Sequence, residues 1–168
     1  VIKQYLFNAN TVAIALIVGG VIILWAERRP HHIQEQEVEQ IGLKKAMMIG
    51  LIQCLALIPG TSRSGATIIG GLLMGVSRKA AAEFSFFLGI PVLMGAGLLA
   101  LYKEHQILYS QDWLVLGVGM VTAFISALIV IRALIRYVSN HDFTVFAWYR
   151  IIFGLLILIT AYTGLIQW

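Results

Sequence analysis

Pro59-Gly60-Thr61-Ser62-Arg63-Ser64-Gly65-Ala66-Thr67 interrupts a run of apolar residues with two backbone breakers, four hydroxyls and a cation. Upstream, Ala46 to Ile58 supplies only 13 residues, and downstream Ala66 to Val76 supplies 11 before Ser77-Arg78-Lys79 closes the segment. A hydrocarbon core about 30 Å thick needs roughly 20 helical residues to cross it, so neither segment spans alone. Two half-length helices around a polar break predict a re-entrant helix-loop-helix hairpin over residues 46–76, entering and leaving on one side. Non-helical backbone at membrane depth is tolerated only where it is buried in protein or lines a wet cavity, so a polar site is expected at the turn.

Composition sets the class around this stretch. Hydrophobic residues make up 60% of the chain, mean hydropathy is +0.88 and only 12% of residues are charged, against about 25% in soluble domains. The expected fold is an all-α, polytopic membrane protein, with residues 1–168 forming a single transmembrane domain. Full spans are expected at Tyr5–Ala26, Ala80–Leu101, Trp113–Ile131 and Phe143–Trp168, with a kink at Gly89-Ile90-Pro91 and a polar loop from Glu27 to Lys45. The net charge of +4 does not point to nucleic acid, because the basic residues lie in loops between apolar segments, as orientation signals do. Cys54 has no partner for an internal disulfide and is expected to pack. His31-His32 is expected to be solvated loop, since adjacent residues do not converge on one metal. The chain opens at Val1 without an initiator Met or a signal-peptide pattern and reads as a segment of a longer protein.

Charge fixes the topology. With the hairpin returning to its own side, Arg28, Arg29, Lys44, Lys45, Arg78, Lys79, Arg132 and Arg136 all fall on the inside, eight of the 12 Lys and Arg residues. Lys103 and Lys3 then lie outside, and Arg63 and Arg150 sit within membrane segments. A straight span through the motif would divide the basic loops between the two sides.

The chemistry of the turn follows from its residue types. Pro59 ends the first half-helix, Gly60 allows the turn, and the second half-helix starts near Ser62 to Gly65 with free N–H groups. Such a terminus attracts phosphate through those donors and the helix dipole. Thr61, Ser62, Ser64 and Thr67 add hydroxyls, Gly65 lets backbone approach a ligand, and Arg63 can hold a phosphate through two parallel hydrogen bonds. An uncompensated Arg at the bilayer centre costs about 2.5–3.5 kcal/mol, so Arg63 needs an anion. The alternative is that the hydroxyls only cap the half-helix and Arg63 pairs with a carboxylate such as Glu83. Glu83 itself is expected in an ion pair with Arg78 or Lys79. Arg150 has two options, a lipid diphosphate or polar segment on one hand and snorkelling to the interface on the other. Gln53 is a candidate for hydrogen bonds inside the hairpin. No Asp, Glu or His lies between Glu39 and Glu83, so the motif has no local base or metal ligand.

The run Gln53 to Thr67, followed by Gly70-Gly71 and Gly75-Val76-Ser77-Arg78, resembles the bacterial undecaprenyl-diphosphate phosphatases, also called bacitracin-resistance proteins. The resemblance covers nearly the whole chain, through a PG-x-SRSG-x-T pattern that is long and specific, and corresponds to the C-terminal part of the family. It implies one half of an inverted-repeat architecture, in a multi-pass protein of the bacterial plasma (inner) membrane with its site facing the periplasm or cell exterior. The implied activity is hydrolysis of the terminal phosphate of undecaprenyl (polyprenyl) diphosphate, in recycling of the cell-wall lipid carrier. The implied phosphate-binding residues are Ser62, Arg63, Ser64, Gly65 and Thr67, with Arg63 and Ser62 as catalytic candidates. The family's other motif, E-x-x-x-E-F-L-P-x-S-S-x-G-H, has no match here. A divalent cation, Mg2+ or Ca2+, is therefore implied to take its ligands from the N-terminal half of the same protein, with no metal ligand in this chain. A homodimer stays open. The competing function is a lipid or small-anion transporter or flippase, since broken helices at the midplane also build transport sites.

Overall fold

The computed structural model describes residues 8–104 and 112–163. The start of the first span at Tyr5, the outside position of Lys3 and the end of the last span at Trp168 lie outside the described residues. Six helices carry the described chain, with no strand among them: α1 (Ala9–Glu27), α2 (Leu43–Ile52), α3 (Arg63–Leu73), α4 (Arg78–Glu104), α5 (Asp112–Asn140) and α6 (Thr144–Thr163). Four of these, α1, α4, α5 and α6, are long and apolar enough to cross a membrane.

Small residues decide the closest packing. A methyl group built on Gly20 of α1 would fall 2.8 Å from the Ala147 carbonyl of α6, and one on Gly154 of α6 would fall 2.9 Å from the Ala13 carbonyl of α1. Bare backbone therefore faces bare backbone at two levels, the arrangement that supplies close van der Waals contact between membrane helices. The core continues through Ile23 and Ala26 of α1, Ile68, Ile69 and Leu72 of α3, Ala80 to Ala82 of α4, and Phe143 and Ala147. Most of the second half of α4 and nearly all of α5 present Leu, Val, Ile, Phe and Met outward, as surfaces facing lipid do.

One end of the molecule gathers the charges. Glu27, at the end of α1, pairs with Arg78 at the start of α4, and its Oε1 also accepts the Phe143 backbone N–H at 3.1 Å. Lys79 pairs with Glu37 at 2.7 Å and Lys45 with Glu35 at 2.7 Å. These pairings correct the expected ion pair of Glu83 with Arg78 or Lys79, because glutamates from the preceding loop and α1 reach both cations first. One further boundary differs from the sequence pattern. Helix α5 runs on past Ile131, so Arg132 and Arg136 lie on its last turns rather than in a loop. Helix α4 is continuous through Pro91, as one span over that region requires. Cys54 is exposed, not packed.

The two short helices fold back on one another. Val76, just after α3, bridges to Glu35, whose carboxylate holds Lys45 at the start of α2. Both ends thus meet at the charged end, and the turn between them points away from it. A 3-10 segment, Gln53–Leu57, carries α2 towards that turn. At the apex Gly60 has φ of +89°, and a methyl group there would fall 2.5 Å from the Val12 carbonyl oxygen of α1. Val12 lies 15 residues from Glu27, about 22 Å along α1 at 1.5 Å per residue. The apex therefore lies beside the first turn of α1, at the end opposite the charges. Gly60→Ala combines a left-handed backbone with a collision against backbone, and should destabilise the protein by about 2–3 kcal/mol, read as a lower melting temperature in detergent.

Candidate functional site

Ser62 is the N-cap of α3, and its Oγ accepts the Gly65 N–H at 3.0 Å. The Ser64 hydroxyl lies 3.1 Å from Ser62 Oγ, and the Ala66 N–H goes to the Ser62 carbonyl at 2.9 Å. The N–H groups of Arg63 and Ser64, at the first two helical positions, have no intrahelical acceptor and are left for a ligand. Of the residues singled out in the motif, Ser62, Ser64 and Gly65 share one cavity wall. Thr67 sits differently. It is 1% exposed, and its hydroxyl is 2.7 Å from Ser85 Oγ on α4 and 3.1 Å from both the Arg63 and Ser64 carbonyls. It braces the first turn of α3 against α4 and does not open onto the cavity.

Arg63 points to α4. A methyl group on Gly89 would fall 2.7 Å from Arg63 Nη2 and 2.9 Å from its Cζ, so the guanidinium lies flat in the notch that the glycine leaves. Its Nη1 is buried and has no hydrogen-bond partner, and among the described residues no carboxylate, Glu83 included, pairs with it. Gly89, part of the expected kink at Gly89-Ile90-Pro91, is the seat of this side chain in the structure.

Arg150 supplies a second cation at the apex. It leaves α6 beside Gly19 of α1, is 8% exposed, and its Nη2 donates to the Gly60 carbonyl at 3.0 Å and the Ala15 carbonyl at 3.4 Å. Its Nη1 lies 3.4 Å from where a methyl on Gly65 would stand, while Nε is buried without a partner. The side chain therefore turns from α6 towards the hairpin, and of its two options the structure selects the polar segment over snorkelling. Two guanidinium groups, each with a buried N–H unsatisfied, thus flank the N-terminus of α3. An unmet charged donor in a low-dielectric site is costly, and an anion removes that cost. Gln53 lies in the 3-10 segment with Oε1 buried and unpartnered, so its expected hydrogen bond within the hairpin is not made.

Two cavities meet at this point. One, of about 420 Å³, is lined by Ser62, Ser64, Gly65 and Arg150 at its polar end; the other, of about 280 Å³, lies on the α2 side and shares Ser62, Gly65 and Arg150. Neither is lined by Asp, Glu or His. Among the described residues no three His, Cys, Asp or Glu side chains come together. The apex offers cations, hydroxyls and amide N–H groups, a set that fits an anion and does not fit a divalent cation.

The profile of the family described as Bacitracin resistance protein BacA matches residues 1–156. The chain belongs to this family. An undecaprenyl-diphosphatase 1 of Acinetobacter baylyi is 64% identical over 168 residues, covering 99% of this chain and 61% of the relative. Undecaprenyl-diphosphatases of Nitrosospira multiformis and Nitrosomonas europaea are each 62% identical over 167 residues, with 99% of this chain and 61% of each relative covered. The chain thus spans about three fifths of the length of the curated relatives it matches. The BacA motif region is the one the geometry singles out, since the cap and Arg150 line both cavities there, while Arg63, on the same turn of α3, packs on Gly89 of α4 and lines neither.

Proposed function

We propose that the full-length protein is a membrane phosphatase that removes the terminal phosphate of undecaprenyl, or another polyprenyl, diphosphate, and that this chain supplies its phosphate cradle. The observation that carries the proposal is the pair of buried, unsatisfied guanidinium donors beside a capped helix N-terminus. The names of the relatives agree with it.

Arg63 grips the terminal phosphate through its planar fork, with Ser62, Ser64 and Gly65 placing hydroxyls and backbone around the oxygens. Thr67 holds the helix turn that presents them. Phosphoryl transfer spreads charge over the non-bridging oxygens in a loose transition state, so fixed donors aimed at those oxygens lower the barrier. Ser62, the cap of α3, presents its hydroxyl beside that of Ser64 at the helix N-terminus. The group that orients or deprotonates the attacking nucleophile comes from the remainder of the full-length protein, as do the carboxylates for any Mg2+ or Ca2+.

The re-entrant course of the hairpin belongs to the same proposal. The basic residues at one end mark the cytoplasmic face, and the apex, about 22 Å away along α1, then opens towards the periplasm. The N-terminal part of the full-length protein closes the other side of the site, and association into a homodimer is compatible with the exposed apolar faces.

Release of inorganic phosphate from a C55 diphosphate by the detergent-solubilised full-length protein is the test. It needs no gradient, whereas movement of the lipid across vesicles without phosphate release would sink the hydrolase in favour of a transporter. Within the hydrolase, Gly89→Ala should lower kcat/KM about 10-fold by displacing Arg63 from its notch, with the melting temperature held within a few degrees. Unchanged turnover would show that the Arg63 position at rest is not the working one.

A further inference from the structure

Helix α3 lies antiparallel against α4 in a fixed register. Gly71 meets Ala81, where a methyl on the glycine would fall 3.0 Å from the Ala81 Cβ. Four residues back on α3 and four further along α4, the Thr67 hydroxyl lies 2.7 Å from Ser85 Oγ. One more such step brings Arg63 to the notch at Gly89, where a methyl would stand 2.7 Å from Nη2. Residues four apart share a helix face, so Ala81, Ser85 and Gly89 form one stripe along which α3 is laid up to its N-terminus. Close packing asks only for a small side chain at 85, and alanine would meet that need. What serine adds is a hydroxyl, 2% exposed within this chain.

The protons of this pair have one satisfied arrangement. Thr67 is 1% exposed, and its Oγ lies 3.1 Å from both the Arg63 and the Ser64 carbonyl oxygens, which can only accept. Ser85 Oγ has Thr67 as its one hydrogen-bond partner among the described residues. If Thr67 donated to Ser85, the Ser85 proton would be buried without an acceptor and both carbonyls would lose this donor, which burial penalises. Ser85 therefore donates to Thr67, and Thr67 shares its own proton between the two carbonyls. Each carbonyl belongs to a peptide unit whose N–H points towards the helix N-terminus. The Arg63 carbonyl is joined to the Ser64 N–H, which has no intrahelical acceptor, and the Ser64 carbonyl to the Gly65 N–H, which goes to Ser62 Oγ at 3.0 Å. Hydrogen bonds in such a chain polarise one another.

We propose that Ser85 is a positioning residue of the phosphate site. Its hydroxyl, acting through Thr67, fixes the first peptide units of α3 and strengthens the Ser64 N–H as a donor to the phosphate, while Gly89, one turn along α4, seats Arg63. The inference rests on the hydrolase proposed above and names what holds its donors in place.

In the full-length protein, phosphate release from a C55 diphosphate is measured for wild type, Ser85→Ala, Thr67→Val and the double variant, with rates normalised to folded protein. Ser85→Ala should lower kcat about 10-fold and raise KM no more than about 3-fold, because an oriented donor matters most as charge gathers on the transferring oxygens. In the Thr67→Val background the same substitution should cost less than about 2-fold, since Ser85 then has no relay to the carbonyls. Ser85→Cys keeps the volume but offers only a weak S–H donor, so its kcat should stay below about one third of wild type. A lower melting temperature with unchanged kcat in Ser85→Ala makes Ser85 a structural contact and overturns the proposal, as does a wild-type kcat in Ser85→Cys. Losses that multiply in the double variant overturn it as well, because Ser85 then does not act through Thr67. If wild type binds the lipid without releasing phosphate, the hydrolase falls and the same variants are compared by dissociation constant. A constant about 3-fold higher in Ser85→Ala, and not in the Thr67→Val background, then keeps Ser85 in its role, and equal constants overturn it. A wild type that neither cleaves nor binds the lipid overturns both.

Discussion

Arg63→Lys in the full-length protein will lower kcat/KM for a polyprenyl diphosphate by about 100- to 1,000-fold, while the protein melts within a few degrees of wild type. The size follows from geometry. The guanidinium lies in the notch left by Gly89, with Nη1 buried and unpartnered, so one plane of donors is already oriented before any phosphate arrives. Lysine keeps the charge but offers a single rotating ammonium, which cannot place two parallel hydrogen bonds on one phosphate and does not fill the notch. The loss should therefore fall on kcat more than on KM, since the second donor matters most as charge gathers on the transferring oxygens. Stability changes little because Arg63 makes no ion pair among the described residues. Phosphate release at saturating and limiting substrate checks both parts, and turnover close to wild type would remove Arg63 from the phosphate site.

Much of this was legible in the residues because it is local. The short lengths on either side of Pro59-Gly60 predict a broken hairpin, and the structure has a helix ending at Ile52 and another starting at Arg63, capped by Ser62. The hydropathy that sorts four spans from two short helices is likewise carried by adjacent residues. What escaped depends on pairs far apart in the chain. Arg150 meets Gly60 across 90 residues and Ala15 across 135, and nothing in the sequence around Arg150 separates a side chain turned inward from one turned to the interface. Thr67 has the right residue type for a phosphate ligand, but Ser85, 18 residues on, claims its hydroxyl. Arg78 and Lys79 lie one helical turn from Glu83, yet Glu27 and Glu37 reach them instead, because the loop after α1 folds across the start of α4. The end of α5 was misplaced for a different reason. Arg132 and Arg136 end the uncharged apolar run, but a helix has no need to stop at its first charges, and α5 continues to Asn140.

Arg150→Met should separate the two things that Arg150 does. Methionine keeps an unbranched apolar stem but stops short of the guanidinium that lies against Gly19, so it removes the charge, the donor to Gly60 and the unsatisfied Nε together. Losing the partner of the Gly60 carbonyl costs about 1–3 kcal/mol, whereas removing a buried, unpaired charge returns a comparable amount. Those effects oppose one another, so the melting temperature should move by no more than a few degrees in either direction. Activity has no such offset. Nη1 of Arg150 lies beside Gly65 and the residue lines both cavities, so a diphosphate loses a charged donor there with nothing to replace it, and kcat/KM should fall about 100-fold. Arg150→Lys should fall between the two, since an ammonium reaches the Gly60 carbonyl or the phosphate but cannot serve both at once. A sharp loss of stability, with full activity per folded molecule, would reduce Arg150 to a strut for the hairpin. A stable protein that has lost turnover would instead make the unsatisfied guanidinium the cost the fold bears for holding a diphosphate inside the membrane.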